Sequence, residues 1–168
     1  MLECGVRTIE HASLITEETL KKMNGRRDVG IVPTVAVTSE EVLAADGEAG
    51  EVLERFETVR EQMYECLGRA GEYDVLIGWG TDMSLAAYQK YPYAEFKTRK
   101  DRLGYENIEI LKQATINSAK LMMMEDQIGS VSVGKYADLI AVEGDPAEDL
   151  SVMYRKPRHV FKGGVKIR

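Results

Sequence analysis

A chain of 168 residues that is 44% hydrophobic and 30% charged has globular composition and apolar material for one core, with room for a small second one. Its net charge of −6 and pI near 5.1 exclude the concentrated basic surface that a nucleic-acid partner requires. No run approaches the roughly 18 to 20 apolar residues that span a bilayer, and the N-terminus has no basic region followed by an apolar one, so neither membrane insertion nor secretion is expected. Cys4 and Cys66 lie in helix-like contexts without C-x-x-C spacing and read as reduced core thiols, which suits a cytoplasmic protein.

In chain order, residues 6–11 form a short β-branched run, read as a strand. Residues 13–23 follow as an amphipathic helix, with Thr16 placed to cap it and Glu17 and Glu18 in its first turn, and Gly25 stops it. The continuous apolar run 29–35 fits a strand buried on both faces, as in a parallel sheet, although Pro33 cannot donate to its ladder. A helical region begins at Ser39, breaks at Asp46 and Gly47, and resumes with Val52, Phe56, Val59, Met63 and Leu67 on one face. Residues 75–80 read as a third buried strand, 83–104 as a long aromatic and basic stretch, and Ile108, Leu111 and Ala114 carry a helical pattern on to Leu121. Three strand-then-helix units imply parallel βα topology. From Ile128 glycines punctuate short strands at 137–143, 159–161 and 165–167, with Gly163-Gly164 as a hairpin turn, so a domain boundary is expected near residue 125.

Two strings bear chemistry: Thr8-Ile9-Glu10-His11-Ala12 and Trp79-Gly80-Thr81-Asp82. Each ends a strand-like run on a residue able to bind a metal ion. On local grounds alone a strand-end histidine such as His11 is more often a satisfied core residue than a ligand, and Asp82 could equally cap the next turn. Glu10 should point to the opposite face of its strand, and His159, the other histidine, falls on a late strand without a nearby ligand. In the stretch 87–102, Tyr88, Tyr91, Tyr93, Arg99, Lys100 and Arg102 could meet a substrate carboxylate or simply be solvated. Met122, Met123 and Met124 read as core filler. No phosphate-binding glycine loop or nucleophile elbow is present.

Taken together, Gly5-Val-Arg-Thr-Ile-Glu-His11, Gly80-Thr-Asp82, Ala114-Thr-Ile-Asn117-Ser-Ala-Lys and Gly134-Lys-Tyr-Ala-Asp138-Leu-Ile-Ala-Val resemble the metal-dependent amidohydrolase superfamily, in its imidazolonepropionase-like and prolidase-like branch. The resemblance runs over the whole chain but covers only the C-terminal part of a family member. It implies an α/β fold: strands six to eight of a distorted (β/α)8 TIM-like barrel in residues 1–125, and C-terminal strands of a small β-sandwich in 126–168. Barrel enzymes build their sites at the C-terminal ends of the strands, where His11 and Asp82 then fall.

By that resemblance His11 and Asp82 are metal ligands, the cofactor is a divalent metal, zinc by expectation, and Asp82 is also the general acid/base that shuttles a proton from water to the leaving nitrogen. The substrate is a small amide, cyclic or dipeptide. The family's other ligands lie upstream, so the chain reads as a C-terminal fragment with an incomplete site. Three strands cannot close a barrel, and the exposed edge calls for a homo-oligomer or a complementing N-terminal half. The alternative is an inactive, self-associating module or half of a split enzyme.

Overall fold

The computed structural model describes residues 2–45, 47 and 51–168. Asp46, at the expected helix break, and the Val52 side chain lie outside what it describes. Among the described residues there are two sheets. Strands β1 (Thr8–Glu10), β2 (Gly30–Val32) and β3 (Leu76–Ile77) are parallel in the order β1-β2-β3, with Ile9, Ile31 and Ile77 level across them. These three are shorter than the apolar runs that encode them. In β2 the reason is Pro33, which has no amide to donate and ends the ladder before the chain tightens into a 3-10 turn, Val35–Thr38.

Helix α1 (Glu17–Met23) starts where the sequence places it, because the Thr16 hydroxyl accepts the Thr19 amide at 3.3 Å. Helices α2 (Glu40–Ala45) and α3 (Glu51–Gly68) follow β2, and α3 turns Met63 and Leu67 inward with Phe56 and Val59 half-buried. The long aromatic and basic stretch after β3 folds into two helices, α4 (Leu85–Lys90) and α5 (Ala94–Asp101). Then come α6 (Asn107–Lys112), a π-helical turn Gln113–Asn117 and α7 (Ser118–Leu121).

The core lies on one face of the parallel sheet, where Ile31 and Ile77 meet Leu20, Met23, Met63, Leu67 and Ile110 from α1, α3 and α6. Full burial of one such side chain contributes about 1.5–3 kcal/mol. On the other face, an added Cβ at Gly30 or Gly78 would come within 2.6 Å of Leu121, so these glycines make the room in which Leu121 packs. The second sheet, β4 (Leu139–Ala141), β5 (His159–Lys162) and β6 (Val165–Lys166), is antiparallel, and Gly163 and Gly164 turn its hairpin at positive φ of 56° and 81°. Two core assignments need correcting. Cys4 is exposed, and Met122 and Met123 are 54% and 72% exposed, because α7 ends before it can turn them inward.

Candidate functional site

His11 follows β1 directly, and its amide still donates to the Val32 carbonyl at 3.0 Å, so the ladder with β2 runs up to the residue before the chain turns away. The turn itself is abrupt: His11 and Ala12 have φ of 64° and 54°. Asp82 lies beyond β3 and also has positive φ, 51°. Left-handed backbone is costly for side chains of this kind and collects at functional sites. Here it directs both side chains over the C-terminal end of the sheet, where His11 Nδ1 and Asp82 Oδ2 stand 3.8 Å apart. Both remain about half exposed, at 53% and 59%.

His11 is oriented by Thr34. The Thr34 hydroxyl lies 2.8 Å from His11 Nδ1, and Thr34 itself is buried. Gly80 permits that placement, since a Cβ there would stand 2.8 Å from Val32 Cγ1 and 3.3 Å from Thr34 Cγ2. Asp82 does not cap the next helix. That role falls to Ser84, whose hydroxyl accepts the Ala87 amide. Among the described residues no group of three or more His, Cys, Asp or Glu side chains gathers for a metal ion.

Below this pair lies a buried polar cluster that the sequence reading missed. Arg99, expected in a basic stretch open to solvent or substrate, is wholly buried on α5. It donates to Glu95 Oε1 at 2.7 Å, to the carbonyls of Gly78 and Pro33 at 2.9 and 2.8 Å, and to Gln113 Oε1 at 2.6 Å. Its guanidinium also stacks over Trp79, 4.6 Å from the ring centroid. Burial pushes the Glu95 carboxyl up from its ordinary range, against the pull of Arg99 and of the Ala36 amide that Glu95 Oε2 accepts. The available signal was the spacing of Glu95 and Arg99, an acid four residues before a base on a helix. The neighbouring aromatic residues are also engaged: Tyr93 stacks on Tyr154 with centroids 5.2 Å apart, whereas Tyr88 is exposed. His159 sits on β5, far along the chain in the antiparallel sheet, with Nδ1 buried.

Comparison with known proteins gives this arrangement its context. The amidohydrolase family model matches residues 6–167. Ochratoxinase of Aspergillus niger is 28% identical over 171 aligned residues, which take in 97% of this chain and 34% of that protein. Imidazolonepropionase of Picrophilus torridus is 40% identical over 68 residues, 38% of this chain and 17% of the relative. Among solved structures, a prolidase complexed with N-methylphosphonate-L-proline superposes with a TM-score of 0.84 at 29% identity, covering 99% of this chain and 41% of that one. The chain thus spans about a third of the ochratoxinase sequence and about two fifths of the solved prolidase. Its parallel βα units reproduce part of the fold of these enzymes, and with the family model matched almost from end to end, the chain belongs to the amidohydrolase family.

Proposed function

We propose that this chain is the part of a metal-dependent amidohydrolase that brings His11 and Asp82 to a reaction centre where a C–N amide bond of a small cyclic amide or dipeptide is hydrolysed. The observation that carries the reading is the convergence of an imidazole and a carboxylate, both on left-handed backbone past the C-terminal ends of parallel strands, in a chain of this family. In this reading β1, β2 and β3 are strands six to eight of the barrel, residues 1–125 are the barrel part and 126–168 the sandwich part.

The two donors suit a divalent ion in kind. With Nδ1 donating to the Thr34 hydroxyl, the His11 Nε2 lone pair would be the one offered to a metal, the usual division of labour in a ligating histidine. The Asp82 carboxylate is open to solvent on the Nδ1 side of the same ring, 3.8 Å away. Three or four protein ligands are the norm for zinc, so further donors come from strands outside this chain's own sheet. A bound divalent ion, which we take to be zinc, would polarise the amide carbonyl and acidify water at neutral pH. Asp82 then takes the proton of the attacking water and returns it to the leaving nitrogen, while Thr34 keeps the imidazole in one orientation. Among the described residues β1 and β3 each pair on one side only, so the remaining strands are supplied by a complementing N-terminal segment.

The test is Asp82→Asn in the protein that holds this chain together with its remaining barrel strands, assayed with zinc on an Xaa-Pro dipeptide and a cyclic amide. Loss of a general acid/base lowers kcat by about 10²–10⁴-fold. A folded, zinc-loaded Asp82→Asn protein with the parent's kcat overturns the reading.

A further inference from the structure

The ladder of the parallel sheet stops short of the residues that matter most. Its last bond on the β3 side runs from the Gly78 amide to the Ile31 carbonyl, at 2.8 Å. Pro33, which follows β2, has no amide to contribute. Two backbone carbonyls are therefore left beyond the ladder, Pro33 on one strand end and Gly78 on the other, and a buried acceptor without a donor is costly. Arg99 satisfies both.

Each carbonyl lies next to the candidate site. Pro33 precedes Thr34, whose hydroxyl meets His11. Gly78 opens the Gly78-Trp79-Gly80-Thr81-Asp82 segment, and Trp79 is held from above by the guanidinium and from its amide by Ser118 Oγ at 2.9 Å. The same serine donates to the Gln113 carbonyl at 2.7 Å, and Gln113 is also the side chain that accepts from Arg99. Both residues belong to or adjoin the π-helical turn, in which the Gln113 carbonyl meets the Ser118 hydroxyl five residues on. On the other side Glu95 joins Arg99 to the Ala36 amide, so the 3-10 turn after Thr34 is tied to the same cluster.

From this geometry we propose that Arg99 is a positioning residue: by holding the Pro33 and Gly78 carbonyls in one planar fork, it sets the separation at which Thr34-bound His11 faces Asp82. The inference rests on the functional reading of that pair but concerns geometry that exists without metal or substrate. A lysine in place of Arg99 keeps the charge and loses the fork, so it cannot serve both carbonyls and Glu95 at once.

The experiment uses the isotopically labelled protein that holds this chain together with its remaining barrel strands, prepared without metal. In the parent the His11 imidazole, assigned by its disappearance in His11→Ala, is expected to give a cross-relaxation peak to the Thr34 methyl group. Arg99→Lys is expected to lose that peak and to move the Thr34 and Asp82 resonances, while Ile110→Val, a core change on α6, keeps all of them. If Arg99→Lys does not fold, Gln113→Met decides, since it removes a single acceptor from Arg99 and should weaken the same peak. The inference is overturned if the parent shows no peak, if the folded Arg99 or Gln113 variant retains parental spectra, or if Ile110→Val loses the peak as well. Because no turnover is measured, a failure here leaves the Asp82→Asn assay standing, and a failure of that assay leaves this result standing.

Discussion

The His11 imidazole and the Asp82 carboxylate stand 3.8 Å apart although β2 lies between the strands that carry them. In-register parallel pairing brings the three strand ends level, and the left-handed residues then bend both chains over the end of the middle strand. Thr34, two residues past that middle strand, engages the imidazole. The pair is thus a product of sheet register and of backbone strain at its two ends.

Two donors alone hold a divalent ion weakly, so purified chain is expected to carry less than one tightly bound zinc, as read by elemental analysis. Titration with Co²⁺ should nevertheless report the pair. Changing a group that merely supports a ligand costs about 10–100-fold in affinity, so His11→Ala and Asp82→Asn should each lower affinity at least that much. Unchanged Co²⁺ binding in both variants would show that the ion binds elsewhere.

The Arg99–Glu95 pair is 0% and 1% exposed. Removing one partner of a buried pair leaves the other charge unmet, which costs about 3–5 kcal/mol. Arg99→Met should lower unfolding free energy by that amount in urea, and a loss below 1 kcal/mol would mean that water reaches Glu95.

Stability should fall at both ends of the pH scale. Glu17, bonded by Lys21, Tyr73 and Arg69, and Asp28, bonded by Arg26, are held at about 2 in the folded chain against ordinary values of 4.5 and 3.8. The unfolded chain therefore takes up protons first, and the stabilisation present above those ordinary values is lost as pH falls toward 2. Burial raises the Tyr105 phenol above its ordinary 10.0, so the unfolded chain releases that proton first and stability declines as pH rises past 10. Thermal melts across pH should show Glu17→Gln flattening the acid limb and Tyr105→Phe the alkaline one.

Met123 follows the C-cap of α7 at φ 57°, with its amide on the Lys120 carbonyl and the next amide on that of Ala119. This is the position where glycine is favoured, and the left-handed conformation costs a side chain about 1–2 kcal/mol. Because Met123 is 72% exposed and has little packing to lose, Met123→Gly should raise unfolding free energy by up to about 1 kcal/mol. His11→Gly relieves the same kind of strain while deleting a donor, so its stability and its Co²⁺ affinity should move in opposite directions.

Gly30 and Gly78 differ in what surrounds them. A Cβ on Gly30 would meet the Leu76 carbonyl oxygen at 2.4 Å, and on Gly78 the mobile end of Leu121 at 2.6 Å. Backbone cannot yield as a side chain does, so Gly30→Ala should cost more than Gly78→Ala, with overpacking of this sort at about 1–3 kcal/mol. Equal denaturation midpoints for the two would contradict this account.

Local signals alone located three apolar runs, the Thr16 cap, the Gly163-Gly164 hairpin and the two strand-end residues His11 and Asp82, because apolar periodicity, capping and turn chemistry act within a few residues. The motif strings pointed to the family for the same reason: they are contiguous. What only the tertiary structure decided depends on contacts between distant residues. Helix α4 was hidden because six residues are too few to show a period, and α5 because its largely polar sequence has no apolar stripe; α5 is held by a buried ion pair and by strand-end carbonyls instead. The approach of Asp82 to His11, the Thr34 hydroxyl on the imidazole and the burial of Arg99 follow from sheet register and packing, which no short stretch of sequence records.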